Sequence, residues 1–370
     1  MIEIIKVNRE NHWQQYFQVA REIYRGDPLW TPLPENSQRL MFNRQANPVL
    51  KHVVCELFLA INDKGPVGRI AAITDDFLPD KKVGFFGCFE TINSQEIASA
   101  LLDAAAKSLK SRGKKQIQGP VTLNTSQQVG LLVEGFKFPP QMMMPYNPPY
   151  YQKLLETAGF EKLLDLYAYP WKPDYTRNRK TLTAIAKRAS RIPGVRVRPI
   201  NLNDPMGEGN RLAEIHNKAM TEQWGFVPLT QEEAAHYLRE MRSYADPDLL
   251  TFCEVDHQPV GVCLIMPDVG HELRASRMSP FSMLHNIFGP KSLRVGVLAV
   301  IPEYRRKGVV ALLIDRAIDI ALRKGYNRGE MSLIMDSNEQ MNRIITSKVV
   351  GKAHKVFRIY HKPNLQIGKN

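Results

Sequence analysis

The chain has 370 residues and an ordinary hydrophobic fraction of 44%, and it carries a formal net charge of +13. This length predicts two or three domains, each with room for a core. No apolar run approaches the roughly 20 residues that a membrane-spanning helix needs, and the N-terminal segment lacks the order of a signal peptide. We therefore expect a cytoplasmic protein without a membrane partner.

The excess of positive charge favours an anionic ligand or partner. A nucleotide cofactor, a nucleic acid and an acidic protein surface all meet that requirement, and charge does not choose among them. The four cysteines are scattered without a CxxC pair, so neither a metal site nor a disulfide framework is predicted. Cys253 and Cys263, on two runs that resemble hairpin partners, are predicted to be buried free thiols.

The first predicted domain covers residues 1–172. Its order is strand, helix, hairpin, strand, helix, strand, helix, strand. The predicted strands are 2–7, 57–61, 67–74, 83–90, 116–119 and 163–169, and the predicted helices are 13–24, 95–112 and 150–159.

Prolines, methionines and tyrosines crowd residues 139–151, PPQMMMPYNPPYY. This composition does not favour regular structure. Two interpretations stay open. The segment is either a stiff loop that lines a groove, in which Tyr146 contacts a substrate, or a structural loop that covers an open sheet edge.

A basic helix is predicted at residues 177–192, RNRKTLTAIAKRASRI, between Pro173 and the Pro193-Gly194 pair. We interpret residues 173–193 as a linker between two domains. The alternative is a helix that contacts nucleic acid, although its charges also suit a solvated face.

The second predicted domain covers residues 194–370. Its order is strand, two helices, hairpin, strand, helix, strand, helix, strand, with an irregular or weakly helical segment at 268–290. The predicted strands are 195–200, 249–255, 260–266, 295–301, 330–335 and 355–361, and the predicted helices are 210–221, 231–242, 309–324 and 338–350. The outline resembles that of the first domain, which predicts two copies of one α/β fold.

A short basic turn, Tyr304-Arg305-Arg306-Lys307-Gly308, separates the apolar strand that ends at Ile301 from an amphipathic helix. Such a turn directs backbone N–H groups and a helix dipole at an anion, which predicts a phosphate-bearing ligand. The alternative is an ordinary strand-to-helix turn with a solvated basic face. The corresponding position of the first domain, residues 91–94, reads TINS and offers a helix cap without a phosphate cradle.

The order of the second domain and this turn resemble the GNAT superfamily of N-acetyltransferases. Its best-known motif is a strand, often a Pro-Glu-Tyr, and then Arg/Gln-x-x-Gly-x-Gly/Ala at the start of a helix. Residues 302–310, PEYRRKGVV, match this motif at Arg305 and Gly308 and depart from it at Val310, where glycine or alanine is usual.

The whole chain also resembles a bacterial group of two-domain GNAT proteins. The stretches that carry this likeness are GLLVEGF at 130–136, MMPYNPPYY at 143–151, WGFVP at 224–228, EMS at 330–332 and FRIY at 357–360. The resemblance implies two tandem GNAT-like domains, each a mixed and mostly antiparallel sheet flanked by helices. The first would be degenerate and the second would bind acyl-CoA.

The implied co-substrate is acyl-CoA, usually acetyl-CoA, with one molecule per chain and no metal. Backbone groups of the last strand residues before the turn would pair with the pantetheine arm, and those of the turn would hold the pyrophosphate. The implied binding residues are Leu298, Ala299, Val300, Arg305, Arg306, Lys307, Gly308, Val309, Val310 and the motif asparagine Asn338.

Acyl transfer to an amine calls for a general base, a donor to the developing oxyanion and an acid for the thiolate. Asp268, at the end of a predicted hairpin strand, is our candidate base. Glu254 on the preceding strand, His216 and His271 are further candidates for this role. Trp224 and Phe226 either shape the acceptor pocket or belong to the core of the domain.

Many GNAT enzymes place a tyrosine acid on the helix after the motif asparagine, and residues 338–351 contain none. Tyr360, and secondarily Tyr304, are candidates to replace it. Two functions follow: an acyltransferase that acts on an amine of a small molecule or peptide, or a non-catalytic protein that binds acyl-CoA or a partner. Recruitment of RNA by the basic surface is a third hypothesis, with nucleic acid the less favoured partner.

Overall fold

The protein folds into two compact units. The computed structural model describes residues 1–8, 10–172, 179–268, 270, 291–348 and 351–365. The first unit comprises Met1–Leu166 and the described part of Lys355–Asn370, and the second comprises Tyr167–His354.

Helices and strands follow the predicted order along the chain, with α2 and β6 as additional elements. The strands are β1 (Glu3–Lys6), β2 (Val53–Asn62), β3 (Gly65–Asp75), β4 (Val83–Thr91), β5 (Gln116–Gly119), β6 (Leu131–Glu134), β7 (Glu161–Trp171), β8 (Val195–Pro199), β9 (Leu250–Val255), β10 (Gln258–Pro267), β11 (Lys291–Val300), β12 (Tyr326–Met335) and β13 (Lys355–Lys362). The helices are α1 (Trp13–Ile23), α2 (Glu35–Met41), α3 (Gln95–Ser111), α4 (Tyr150–Thr157), α5 (Arg179–Ala189), α6 (Pro205–Ala219), α7 (Gln231–Met241), α8 (Val309–Arg323) and α9 (Glu339–Lys348).

The first unit is built on a mixed sheet in the order β1-β2-β3-β4-β5-β13, with β6 also paired to β13. All of these pairs are antiparallel except β4 with β5. Helix α3 packs on β2, β3 and β4, and its apolar face meets Ile70 and Phe86 in the core. Helix α1 also packs on β3 and β4, and its Tyr16 contacts Arg69. Arg69 and Ile70 are neighbours on β3, so their side chains point to opposite faces of the sheet. Helices α1 and α3 therefore cover opposite faces.

The last strand belongs to the first unit. The sequence analysis placed it at the end of the second domain, but Tyr360 pairs with Gly119 of β5 and Phe357 with Leu132 of β6. Hydrophobic periodicity identifies a strand without identifying its neighbours. The predicted domain boundary at residue 172 therefore differs from the observed division of the chain.

The proline- and tyrosine-rich segment is tied to the first unit by a buried carboxylate. The Tyr151 hydroxyl donates to Glu90 Oε2 at 2.7 Å. The Tyr24 hydroxyl lies 3.0 Å from both Glu90 Oε2 and the Tyr146 carbonyl oxygen, and the Tyr146 hydroxyl donates to Asp27 at 2.7 Å. Burial raises the pKa of Glu90. Of the two interpretations of this segment, these bonds favour the structural loop.

The second unit has a sheet in the order β12-β11-β10-β9-β8, in which only β11 and β12 are parallel. Helices α6 and α7 pack together, α6 lies on β10 and β11, and α8 lies on β10, β11 and β12. A capping box between Thr230 and Glu233 fixes the start of α7. Helix α6 begins five residues earlier than predicted because Asp204 caps it and Pro205 takes its first position.

The basic linker helix α5 is part of the second unit. Its Ala186 and Ala189 are buried, and it packs along α8. Arg179 donates to Asp315 Oδ1 at 3.1 Å, and Thr183 donates to the same oxygen at 2.8 Å. These contacts favour a structural helix over one that contacts nucleic acid.

Two observed elements are absent from the predicted set. Helix α2 begins directly after Pro34, which lies at its N-cap. Strand β6 has only four residues, and it pairs with β13. Most of the predicted irregular segment 268–290, including His271, lies outside the described residues.

We predict that Phe357→Ala unfolds the first unit preferentially. Phe357 on β13 is 1% exposed, and truncation of such a side chain costs about 3–5 kcal/mol. Amide hydrogen exchange should show lost protection in β5 and β6 and retained protection in α7. The matched control, Leu238→Ala in α7, removes a fully buried side chain of the second unit and should reverse that pattern. Loss of protection confined to β8–β10 in the Phe357 variant would contradict the assignment of β13.

Candidate functional site

In the second unit, β11 and β12 run together for only part of their length. Their register pairs end at Val295–Met331, although both strands continue beyond that pair. On the opposite edge of β11, the pairing with β10 skips Gly296, which forms a bulge. A bulge bends its strand, so β11 leaves β12 and opens a gap beside residues 296–300, which we call the β11–β12 slot.

The slot is bordered by the residues that were predicted to pair with a pantetheine arm. Leu298, Ala299 and Val300 pair with β10 on one edge, and β12 has no register pair with them on the other. Leu298 is half-buried, whereas Ala299 and Val300 are buried. The arrangement presents a strand edge to an extended ligand.

The basic turn follows the slot directly. Arg306 has φ of +62° and Gly308 has φ of +85°. Gly308 is the N-cap of α8, and no side chain caps the N–H groups of the first turn. The apolar face of α8, including Val309 and Leu313, is buried in the core, which fixes the direction of the helix dipole. The turn can therefore offer backbone N–H groups to an anion.

The three cations of the turn differ in their roles. Arg305 donates from Nη2 to the Ala219 carbonyl oxygen at 2.9 Å, at the end of α6, so it ties two elements together. Arg306 and Lys307 are exposed. The Lys307 ammonium lies 4.6 Å from the centroid of the Tyr304 ring. The Arg305 side chain is itself 39% exposed, but its Nη2 is bonded to the Ala219 carbonyl oxygen, so we assign Arg306 and Lys307 to a phosphate.

Helix α5 lies against the same turn. A Cβ added to Gly308 would meet the Ala189 Cβ at 3.0 Å and the Ile185 Cγ2 at 3.2 Å. Any side chain at position 308 would therefore suffer from both the positive φ and the helix contact. Val310, where the motif departs from glycine or alanine, is half-buried and packs against the core.

The predicted acceptor residues lie in the loop between α6 and α7. Trp224 and Phe226 are both half-buried, and Phe226 stacks on His216 with ring centroids 5.7 Å apart. Asn217 holds the loop, because its side chain accepts from Leu229 N at 2.8 Å and donates to Leu229 O at 3.0 Å. Burial lowers the pKa of His216, which favours a neutral packing role.

A row of buried charged side chains crosses the sheet where the slot begins. Arg294 on β11 is directly opposite Glu330 on β12, and its Nε donates to Ser332 Oγ at 3.1 Å. His354 Nε2 lies 2.7 Å from Glu330 Oε2. Asp268, the predicted base, follows β10 at the end of this row and attracts the Arg294 guanidinium electrostatically.

The sequence analysis missed Arg294, Glu330 and His354. Arg294 and Glu330 stand inside apolar strands, and a charge in a buried strand is the signal that was available. Asp268 is 6% exposed, and its Oδ1 accepts from Gly270 N at 3.2 Å. Glu254 is held by Arg198 at 2.7 Å and Arg211 at 3.3 Å, which is a structural ion pair.

The motif asparagine opens helix α9. Asn338 is exposed, and its Oδ1 accepts from Met341 N at 3.2 Å. Ile345 is buried on this helix, and the Thr346 hydroxyl donates to the Asn342 carbonyl oxygen at 2.8 Å. The helix thus offers no acidic hydroxyl like that of a tyrosine.

The first unit has closed its equivalent of the slot. Strands β4 and β5 also pair in parallel and separate after Phe85–Gln118. There Val121 N donates to Phe86 O at 2.9 Å, and a Cβ on Gly87 would lie only 1.8 Å from Val121 O. The Ser94 side chain caps α3 by accepting from Ile97 N. The chain itself therefore fills the space that the second unit leaves between its strands.

Two predicted site residues belong to the first unit. Tyr360 is fully buried, and its hydroxyl donates to Glu156 at 3.0 Å. Burial and this bond raise the pKa of Tyr360. Tyr146 is bonded to Asp27, as described above. Both hydroxyls have partners in the fold, which gives no support to a role in catalysis or substrate binding.

Neither a metal centre nor a membrane span is found in the part of the chain that the structure describes. That part holds no group of three or more histidine, cysteine or acidic residues placed to bind a metal ion. Its helices are too short or too polar to cross a bilayer.

Comparisons with known proteins agree with this architecture. The sequence model of the Acetyltransferase (GNAT) family matches residues 210–345. The chain is 30% identical over 372 residues to Protein YghO of Escherichia coli (strain K12), covering 95% of this chain and 93% of YghO. It is 28% identical over 378 residues to a bacterial ceramide synthase of Caulobacter vibrioides (strain NA1000 / CB15N), covering 98% and 97% of the two chains.

One solved structure shares the fold along the whole chain. It is a tandem GNAT protein from the clavulanic acid biosynthesis pathway, with a TM-score of 0.60 at 12% identity and complete coverage of both chains. Together with the parallel strand pair that separates in each unit, these likenesses identify the protein: it belongs to the GNAT family of acyltransferases and has two GNAT-like domains in tandem.

Proposed function

We propose that the protein transfers an acyl group from acyl-CoA to an amine. The observation that carries this proposal is the continuity of the β11–β12 slot with the uncapped N-terminus of α8. An extended strand edge followed by a phosphate cradle suits a ligand that has a peptide-like arm and a pyrophosphate. No metal is needed for this reaction.

The residues present fit acyl-CoA. The backbone of Leu298 to Val300 would pair with the pantetheine arm, and the N–H groups from Arg306 to Val310 would hold the pyrophosphate. Arg306 and Lys307 would supply charge, whereas Arg305 would hold the turn to α6. Asn338 would lie near the pantetheine at the start of α9. The bound molecule would supply an activated acyl group as a thioester.

We propose a long-chain amino alcohol as the acceptor. The support is the near-complete alignment with the bacterial ceramide synthase, because a ceramide is an amide of a fatty acid and such an amine. The half-buried rings of Trp224 and Phe226, at the end of α6, would contact its hydrocarbon part. Acetyl-CoA with a small polar amine is the alternative pair of substrates.

The proposed reaction forms a C–N bond and breaks the C–S bond of the thioester. The acceptor ammonium first gives up a proton to a base, and the free amine then attacks the carbonyl carbon. A strand N–H near Leu298 would stabilise the oxyanion. The C–S bond then breaks, the nitrogen gives up its second proton to solvent, and the departing thiolate takes up one proton. Helix α9 has no tyrosine to provide that proton, so it would come from solvent.

A second function is a non-catalytic protein that binds acyl-CoA. The observation in its favour is that α9 carries no tyrosine that could act as the acid. Ile345 is buried there, and the Thr346 hydroxyl donates to a backbone carbonyl oxygen. The two functions differ in whether thiol is released when an amine is present.

Reversal of charge on the turn should weaken acyl-CoA binding. We expect Arg306→Glu and Lys307→Glu each to lower the affinity by roughly fivefold, equivalent to about 1 kcal/mol, through loss of attraction to phosphate. Isothermal titration with acetyl-CoA and with palmitoyl-CoA measures this. Arg323→Glu, at the exposed far end of the same helix, makes the same change of charge and should leave affinity unchanged. Equal effects of all three variants would point to net charge and away from this site.

Arg305 should act on stability more than on phosphate binding. We expect Arg305→Gln to lower the free energy of unfolding by about 1–2 kcal/mol, because the bond to the Ala219 carbonyl oxygen is lost. Its effect on acyl-CoA affinity should be smaller than that of Lys307→Glu. Chemical denaturation and titration calorimetry test this, and a large loss of affinity at unchanged stability would assign Arg305 to the ligand.

Acyl transfer can be tested with defined pairs of substrates. Palmitoyl-CoA and acetyl-CoA are each incubated with sphinganine, with spermidine and with a lysine peptide, and thiol release and amide formation are followed. We expect transfer from palmitoyl-CoA to sphinganine. Transfer only from acetyl-CoA to a polar amine would replace the proposed acceptor. Binding without thiol release from any pair would support the non-catalytic function.

A further inference from the structure

We propose that His354 is the general base of acyl transfer and that Glu330 positions it. This inference rests on the proposed function. It assigns the proton-accepting step to a pair of residues that sequence patterns do not link, since one lies in strand β12 and the other lies just before β13.

The two side chains form a short, well-buried contact. His354 Nε2 and Glu330 Oε2 are 2.7 Å apart. The Glu330 side chain is 1% exposed, whereas that of His354 is 18% exposed. A buried carboxylate bonded to an imidazole that retains access to solvent is the arrangement that orients a catalytic histidine. A purely structural ion pair would not require the imidazole to keep contact with solvent.

The pair stands where the β11–β12 slot begins. Glu330 precedes Met331, the last residue of β12 in register with β11. Arg294 is directly opposite Glu330, and both side chains point to the same face of the sheet. Tyr244, just after α7, lies near enough to Arg294 to influence its pKa, so this face is the one covered by α7 and its flanking loops. The loop that carries Trp224 and Phe226 joins α6 to that same helix.

The chemistry of the pair suits proton transfer from an ammonium. With Nε2–H donating to Glu330, Nδ1 is the basic nitrogen of His354. It would take one proton from the acceptor ammonium, and the carboxylate would stabilise the resulting imidazolium. The free amine then attacks the thioester and the C–S bond breaks. The nitrogen releases its second proton to solvent, the thiolate takes up a proton from solvent, and His354 later returns its own proton to solvent. No oxidant or metal takes part.

Several other titratable groups surround the pair and shape its pH response. On the Arg294 side they are Arg294 on β11, Asp268 after β10 and Tyr244 after α7. On the His354 side, His354 N donates to the Ala168 carbonyl oxygen of β7 at 2.9 Å, which brings in Tyr167 and Tyr169, the two neighbours of Ala168. Arg294 is 9% exposed, and burial lowers the pKa of its guanidinium, against the opposing effect of Glu330. Glu330 thus faces the Arg294 guanidinium on one side and the His354 imidazole on the other.

The test compares His354→Gln, Glu330→Gln and Glu330→Asp with the wild-type protein, using palmitoyl-CoA and sphinganine. We expect His354→Gln to lower kcat by roughly 100-fold with little change in acyl-CoA affinity. The acidic limb of the pH profile of kcat/KM, which rises as the base loses its proton, should disappear. Glu330→Gln should lower kcat with KM nearly unchanged, and Glu330→Asp should recover part of the loss.

Controls separate catalysis from folding. His236→Gln, at a surface pair with Glu240 on α7, makes the same substitution in the same unit and should be neutral. Thermal unfolding and palmitoyl-CoA titration show whether each variant is folded. Added imidazole should restore activity to His354→Ala. Glu330→Gln keeps the histidine, so it tests the pair even if variants at His354 do not fold.

The possible failures are distinct. If the wild-type protein releases thiol and His354→Gln stays within about twofold of its rate with the acidic limb intact, His354 is not the base. If Glu330→Gln lowers only stability, the pair is structural. If the wild-type protein binds acyl-CoA and releases no thiol with any acceptor, the proposed function fails, and the role of His354 fails with it.

Discussion

The structure depends on a requirement of the backbone: a strand that leaves its neighbour must find other partners for its N–H and C=O groups. Each unit contains a parallel strand pair that separates, β4 from β5 and β11 from β12. In the first unit the chain meets the requirement itself, because Val121 bonds to Phe86 and lies against Gly87. In the second unit β12 has no register pair with residues 296–300, and we assign that edge to the substrate.

The basic turn at residues 304–308 is held in place by parts of the chain that lie far from it in sequence. Gly308 adopts a left-handed conformation and is packed against Ala189 of α5. Arg305 reaches the end of α6, where the loop with Trp224 begins. A turn that is held on two sides keeps its N–H groups oriented before a ligand arrives, which reduces the entropy lost on binding.

One row of buried charges in the second unit lies where the slot begins. Removing a charge from water costs several kcal/mol unless a partner compensates for it, and Glu330 compensates for Arg294 while holding His354. A row of apolar side chains would satisfy packing at lower cost. The position of the charged row at the mouth of the slot agrees with a chemical role. Arg198, Glu208, Glu254 and Arg211 form a separate network of ion pairs, which we interpret as structural.

The sequence alone determined what depends on local order: most elements of both units, the strand, basic turn and helix at residues 291–323, and the GNAT family with its tandem domains. It could not assign β13 to the first unit, because the apolar period of a strand names no neighbour. It also could not bring Glu330 to His354 or turn Arg305 toward α6. Those contacts join residues distant along the chain, so only the tertiary structure decided which side chains meet at the site.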